Sequence, residues 1–278
     1  MRRSRRWYSS AKGASREGAT RRERLRKILI IGIGAGDPDY MTVQAINALN
    51  RADVFFIPDK GDEKAGLRNQ RLAICERYIK AKAPRFVTFR TPERAKDFTD
   101  YKANVADWHA AIEQSYKRMF AEELGEDQCG AFLVWGDPAL YDSTLRIVEN
   151  LLASGAIAFD YEIIPGISSI QALAAKHKIS LNRIGESVLV TTGRKLAEKF
   201  PSDADSVVVL LDGDQTFASI NDEDMEIYWG ANIGAPEELL ASGKLADVKD
   251  EIKALRVRLK RENGWVMDAY LLRKAKDG

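Results

Sequence analysis

The chain has 278 residues, 45% of them hydrophobic and 30% charged, with a formal net charge of +2 at pH 7. That balance excludes a largely disordered chain and leaves room for about two compact domains. No apolar run approaches the ~18–20 residues of a membrane-spanning helix, and two cysteines (Cys75, Cys129) with two histidines (His109, His177) argue against a zinc site or a disulfide framework.

The chain starts with a basic segment. Of 43 Lys and Arg and 41 Asp and Glu, eleven bases and two acids fall in residues 1–27, leaving 32 bases against 39 acids in the body. Residues 1–26 read as a disordered tail, since Arg, Ser and Gly alternate there without apolar periodicity. Such a tail suits a nucleic-acid arm, a transit peptide or a plain extension. The acidic body speaks against general nucleic-acid binding.

Lys27–Ile33 is a β-branched run ending in glycines, the pattern of a strand covered on both faces. A helix over Thr42–Arg51, capped by Thr42 or Asp39, and a strand Asp53–Ile57 follow, which makes a parallel pair with a right-handed crossover. The same alternation predicts a helix over Leu67–Ala81, a strand Arg85–Phe89, a helix over Tyr101–Leu124 and a strand Ala131–Trp135. A helix over Ser143–Leu152 and a strand Tyr161–Ile164 complete this half. After a boundary at Pro165–Gly166 comes a helix over Ser168–Lys176, then strands at Val188–Thr191, Ser206–Leu211, Glu226–Trp229 and Val266–Leu272. Short helices are expected at Leu196–Phe200, Asp214–Ile220 and Glu237–Ala241, and a longer one at Lys244–Lys260. The reading is two tandem α/β domains, 27–165 and 166–278. Ligands of such sheets lie beyond the carboxyl ends of strands, so the loops after strands hold the interest.

Four loops stand out. Gly32-Ile33-Gly34-Ala35-Gly36-Asp37-Pro38 follows the first strand and reads either as a tight turn or as a dinucleotide fingerprint, with Asp59 then on a ribose. Against the fingerprint, Asp37 occupies the third glycine position and puts a carboxylate where a pyrophosphate would sit. Trp135-Gly136-Asp137-Pro138 again ends a strand in Gly-Asp-Pro, and Tyr141, Ser143 and Thr144 follow, the last two as caps or ligand contacts. If the strands are parallel, both loops lie on one edge. Ile164-Pro165-Gly166-Ile167-Ser168-Ser169 breaks a strand and caps a helix, and Gly230-Ala231 opens a further loop at the end of Glu226–Trp229.

In this order and spacing, GxGAGDP, the following Thr-x-x-Ala-x-x-Ala-Leu-x-x-Ala-Asp-Val, GDPxxYDST and xPGISS resemble the tetrapyrrole methylase family over residues 27–272. Ala35 departs from it, standing where many members have Pro. The resemblance implies an S-adenosylmethionine-dependent C-methyltransferase with its cofactor in the cleft between two α/β domains. Within the family, GIGAGDPDYMT and WGDPALYDST are most similar to the branch that methylates C1 of precorrin-5 and releases acetate. It further implies that Gly34, Gly36 and Pro38 face the transferred methyl. Gly136, Asp137, Ser143 and Thr144 would border the cofactor on one side, and Gly230 and Ala231 on the other. Asp37 and Tyr141 are the candidates for a catalytic or orienting role in deacetylation. A polycarboxylate substrate needs cations, for which Lys60, Arg90, Arg94 and Arg194 are the first candidates and Arg68, Arg71 and Lys195 further ones. His109 and His177 read as structural. A homodimer, a cytoplasmic setting and no metal, nucleic-acid or membrane partner complete what the resemblance implies. The rival readings are methylation at another precorrin carbon and an NAD(P) oxidoreductase.

Overall fold

The computed structural model describes residues 25–59, 61, 65–80, 83–92, 101–201 and 203–274. Residues 1–24 of the basic tail, Lys60 and Arg94 lie outside them.

The first half alternates strand and helix: β1 (Arg26–Gly32), α1 (Val43–Leu49), β2 (Val54–Asp59), α2 (Ala65–Tyr78), β3 (Arg85–Arg90), α3 (Tyr101–Glu123), β4 (Cys129–Val134), α4 (Thr144–Ala153) and β5 (Phe159–Ile164). The strands form one parallel sheet in the order β3-β2-β4-β1-β5. Period-two alternation assigns the faces. Ile28, Ile30 and Phe56 pack with Phe120 of α3 and Val148 of α4, while Leu29, Ile31 and Phe55 pack with Leu49 of α1 and Ile74 of α2. Each fully buried side chain of this kind contributes about 1.5–3 kcal/mol. Thr42 caps α1, its hydroxyl accepting from Ala45 N at 3.0 Å.

The second half holds α5 (Ser169–His177), β6 (Val188–Thr192), α6 (Gly193–Glu198), β7 (Ser206–Leu210), β8 (Met225–Ala231), β9 (Leu239–Lys244), α7 (Leu245–Asn263) and β10 (Asp268–Lys274). Its sheet is mixed, in the order β6-β7-β10-β8-β9, with only β6 and β7 parallel. Ser168 starts α5 with a capping box completed by Gln171. His177 near its end hydrogen-bonds the Trp229 carbonyl at 2.9 Å, and His109 stays in α3 against Trp108.

Two expectations change here. Glu237–Ala241 is not helical: Leu239–Lys244 is strand β9, which pairs with β8 and turns alternate residues toward the core. Asp214–Ile220 shortens to a single 3₁₀ turn, Thr216–Ser219.

Candidate active site

β1 and β4 are parallel neighbours, so the loops leaving their carboxyl ends emerge side by side. There Gly34 and Gly136 form an antiparallel bridge. Gly34 N donates to Gly136 O at 3.3 Å, and Gly136 N donates to Gly34 O at 2.8 Å. The loop after β5 presses in beside them: a Cβ on Gly166 would lie 2.1 Å from Gly136 O and 2.9 Å from Gly32 Cα. Only bare backbone fits at that junction. Asp137 ties the loops together, its Oδ2 accepting from Gly166 N at 2.9 Å and its Oδ1 from Ala139 N at 2.8 Å. Asp37 serves its own loop, where Oδ1 accepts from Asp39 N at 2.8 Å and caps the turn Pro38–Tyr40.

The opposite rim comes from β7, β8 and β10 and rests on two buried acids. Asp212 accepts from Tyr270 Oη at 2.5 Å, Thr216 N at 2.7 Å and Thr216 Oγ1 at 2.9 Å. Asp268 accepts from Trp229 Nε1 at 3.1 Å and Arg256 Nε at 2.9 Å, and Arg256 also reaches the Asp212 carbonyl at 3.2 Å. Burial raises the Asp268 carboxyl above its usual range, and Arg256 offsets part of that. Burial, helped by Asp212, raises Tyr270 as well.

Between the rims lies a cleft of about 750 Å³, within the ~300–1,000 Å³ of small-molecule sites. Gly136, Asp137 and Tyr141 line one wall, and Leu211, Asn232 and Met267 the other. Tyr141 (φ 53°) and Leu211 (φ 55°) are left-handed without being glycine, yet 48% and 68% exposed. Such backbone costs about 1–3 kcal/mol and clusters at ligand sites. Tyr141 Oη donates to Val190 O at 3.4 Å, spanning the two halves, and burial raises its pKa.

Gly136, Asp137 and Tyr141 therefore meet in one cleft. Gly34 sits in the bridge below it. Gly36 is a contact between halves, since a Cβ there would meet Ile233 O at 2.6 Å. Pro38 opens the turn that Asp37 caps. Ser143 and Thr144 start α4 and line a separate, smaller cavity, with Asp142 Oδ1 accepting from Thr144 N at 2.7 Å. Gly230 and Ala231 end β8 inside the second core, and the cleft wall begins one residue later, at Asn232. Arg90 is exposed at the end of β3 and Arg194 is exposed on α6. Asp59 is engaged locally, by Gly61 N at 3.0 Å and Arg68 at 3.8 Å. Sequence reading missed Leu211, Asp212, Met267 and Asp268. For Asp212 a signal existed: Leu-Asp-Gly-Asp after an apolar strand repeats the pattern of an acid after a strand seen in the first half.

The chain is similar to known proteins in sequence and fold. The family model for Tetrapyrrole (Corrin/Porphyrin) Methylases matches residues 27–249. A precorrin-6A synthase [deacetylating] of Sinorhizobium sp. is 53% identical over 91% of this chain and 97% of its own. The crystal structure of a cobalamin synthesis related protein (CobF) from Corynebacterium diphtheriae matches with TM-score 0.77 and 35% identity, covering 91% of this chain and all of that one. A uroporphyrin-III C-methyl transferase from Thermus thermophilus, complexed with S-adenyl homocysteine, shares the fold at TM-score 0.54 and 17% identity, over 89% of this chain and 97% of that one. A family match that spans the first sheet and four of the five strands of the second, together with the identity to a relative over nearly the whole chain, leads to one conclusion: this chain belongs to the tetrapyrrole (corrin/porphyrin) methylase family.

Proposed function

We propose that this chain is an S-adenosylmethionine-dependent C-methyltransferase that methylates C1 of precorrin-5 and releases acetate to give precorrin-6A. The observation that carries the reading is its extended identity with a deacetylating precorrin-6A synthase. The cleft chemistry supports it. Asp137, Asp212 and Asp268 line the cleft, and the one arginine among its described lining residues, Arg256, is already paired with Asp268. A field of that sign favours a sulfonium and an ammonium group over phosphates. Bare backbone at Gly136 lets a ligand approach closely. The residues present fit the methyl donor.

When bound, S-adenosylmethionine supplies a methyl group already activated on a positive sulfur. The protein's share is alignment and exclusion of water. Gly136, Asp137 and Tyr141 hold the donor from the first rim, and Asn232 and Ile233 from the second. Gly34, Gly36 and Pro38 shape the floor toward the substrate. Asp37 takes the proton of the water that attacks the acetyl carbonyl, using the oxygen not committed to Asp39, and Tyr141 orients that water. The bond from that carbonyl to C1 breaks, acetate leaves, and the electron pair remains on C1 to take the methyl. Lys60, Arg90, Arg94 and Arg194 receive substrate carboxylates. The enzyme works as a cytoplasmic homodimer of two-domain chains (27–165 and 166–278), as the family resemblance implies; among the described residues no helix is long and apolar enough to cross a membrane.

Mass spectrometry of turnover with precorrin-5 tests the reading. One product should gain a methyl and lose an acetyl, with S-adenosylhomocysteine formed alongside. A product that gains the methyl and keeps the acetyl moves the reaction to another carbon. Binding of NADH with no methyl transfer overturns the class.

A further inference from the structure

β2 and β4 pair only from Val54 to Phe56 against Gly130 to Phe132. Beyond Phe132 they part, because β2 stays with β3 as far as Asp59 and β4 stays with β1 as far as Val134. Arg71 of α2 fills the gap. Its Nε donates to Leu133 O and its Nη1 to Leu67 O, both at 3.0 Å, and the guanidinium lies 5.1 Å from the centre of the Trp135 ring. Nη2 has no hydrogen-bond partner among the described residues. Arg71 is only 7% exposed, and no described carboxylate lies within ion-pair distance of it. Burial lowers its pKa to about 10, partly countered by Asp142, so it stays charged at neutral pH. A buried charge offset only by an exposed carboxylate beyond ion-pair distance is costly unless something supplies a closer partner.

The guanidinium borders a cavity of about 110 Å³ at the carboxyl ends of β2, β3 and β4. Phe89 and Trp108 supply apolar walls, and Thr91, Tyr116 and Asp142 polar ones. Thr91 Oγ1 is buried and makes no hydrogen bond. Asp142 is exposed and lies beyond ion-pair distance of Arg71, its Oδ1 accepting from Thr144 N. This cavity is distinct from the cleft and well below the ~300 Å³ that a nucleoside-sized ligand needs.

We propose that this cavity binds a short carboxylate, with Arg71 as its counter-ion and the Thr91 hydroxyl as its second donor. A carboxylate supplies both missing partners at once, and the planar guanidinium fork matches its two oxygens. The proposal rests on the precorrin reading, which offers two sources: an acidic side arm of the macrocycle, or the acetate released from it.

The test titrates the full chain with sodium acetate and sodium propionate at constant ionic strength. Trp108 and Trp135 fluorescence and line broadening of ¹³C-acetate report binding. Wild type should saturate, and Arg71→Gln should weaken binding at least tenfold. Because Arg71 also holds two backbone carbonyls, Thr91→Val provides a second variant that leaves those bonds in place and should weaken binding a few-fold. No saturation in wild type, or equal binding by wild type and both variants, overturns the proposal. Binding of S-adenosylhomocysteine to the same samples separates the two claims: its loss in wild type strikes the methyltransferase reading, while its retention without acetate binding strikes only this one. With precorrin-5, a raised KM and spared kcat in Thr91→Val assigns the pocket to a side arm. A lowered kcat with weakened product inhibition by acetate assigns it to the leaving group.

Discussion

The rim on the first sheet is glycine backbone tied by one carboxylate, Asp137, and the rim on the second is reinforced by two buried carboxylates, Asp212 and Asp268. In the first half every strand runs the same way, so the carboxyl ends of β1, β4 and β5 arrive together and glycines let their loops touch directly. In the second half the cleft draws on the carboxyl ends of β7 and β8 and on the amino end of the antiparallel β10. There the antiparallel ladder joins the chain ends directly, with Asn232 N donating to Met267 O at 2.8 Å. Asp212, just beyond β7, and Asp268 add side-chain bonds to that ladder, to Tyr270 of β10 and Trp229 of β8. The first rim thus rests on glycine contacts between loops, and the second on a strand ladder reinforced by buried carboxylates.

The sharpest way to break this comparison is to add one methyl group to each rim. Gly166→Ala forces a Cβ against backbone that cannot rotate away and should destabilise the protein by about 3 kcal/mol or more, read by urea unfolding. Gly213→Ala on the opposite rim, where nothing lies within 4 Å, should stay within about 0.5 kcal/mol. Equal losses would erase the distinction. Next in size, Tyr270→Phe strips the buried Asp212 of a donor and should lose about 2 kcal/mol with an unchanged m-value. A loss below about 0.5 kcal/mol would mean that side chains do not hold the second rim.

The smallest effect lies on the first sheet, away from the rim. The hydrogen-bonded Arg51, with Lys27, pulls Glu162 down from 4.5 to about 2. A folded-state pKa below the unfolded one gives stability that is present above pH ~4.5 and lost as pH falls toward 2. The pair is partly exposed and screened, so Glu162→Gln should lose only about 1 kcal/mol at pH 6. The gap from wild type should close by about pH 2. A gap that persists there would assign Glu162 a packing role rather than an ionic one.

The same contrast explains what could be read in the sequence. The parallel half was legible because its site follows one rule, loops after strands, and glycines advertise themselves there. The pairing of the two Gly-Asp-Pro loops followed from β1 and β4 being parallel. Ser168 was equally visible as a cap. Met267 and Asp268 were not, because they sit at the amino end of a strand, and only the antiparallel placement of β10 turns that end to the cleft. β9 was misread because Pro236, Glu237 and Glu238 look like a helix start. Glu238 instead clasps its own loop, accepting from Gly234 N at 2.7 Å and pairing with Lys176 at 3.0 Å. The alternation of Leu239, Ala241 and Gly243 was the signal for a strand. Arg71 could be named in the sequence only as one candidate cation among several, and its burial carries no local signal. Its setting depends on where β2 and β4 part, which is a property of register between strands distant in sequence.

The most direct test is a crystal structure of the full chain grown with S-adenosylhomocysteine, bound at micromolar affinity, about −8 kcal/mol. The ligand should lie between the turn Gly136–Tyr141 and the loop at Asn232–Ile233, against bare backbone on one side and the Asp212 and Asp268 network on the other. Finding it seated anywhere else, or the cleft filled only by solvent at saturating ligand, would contradict the account.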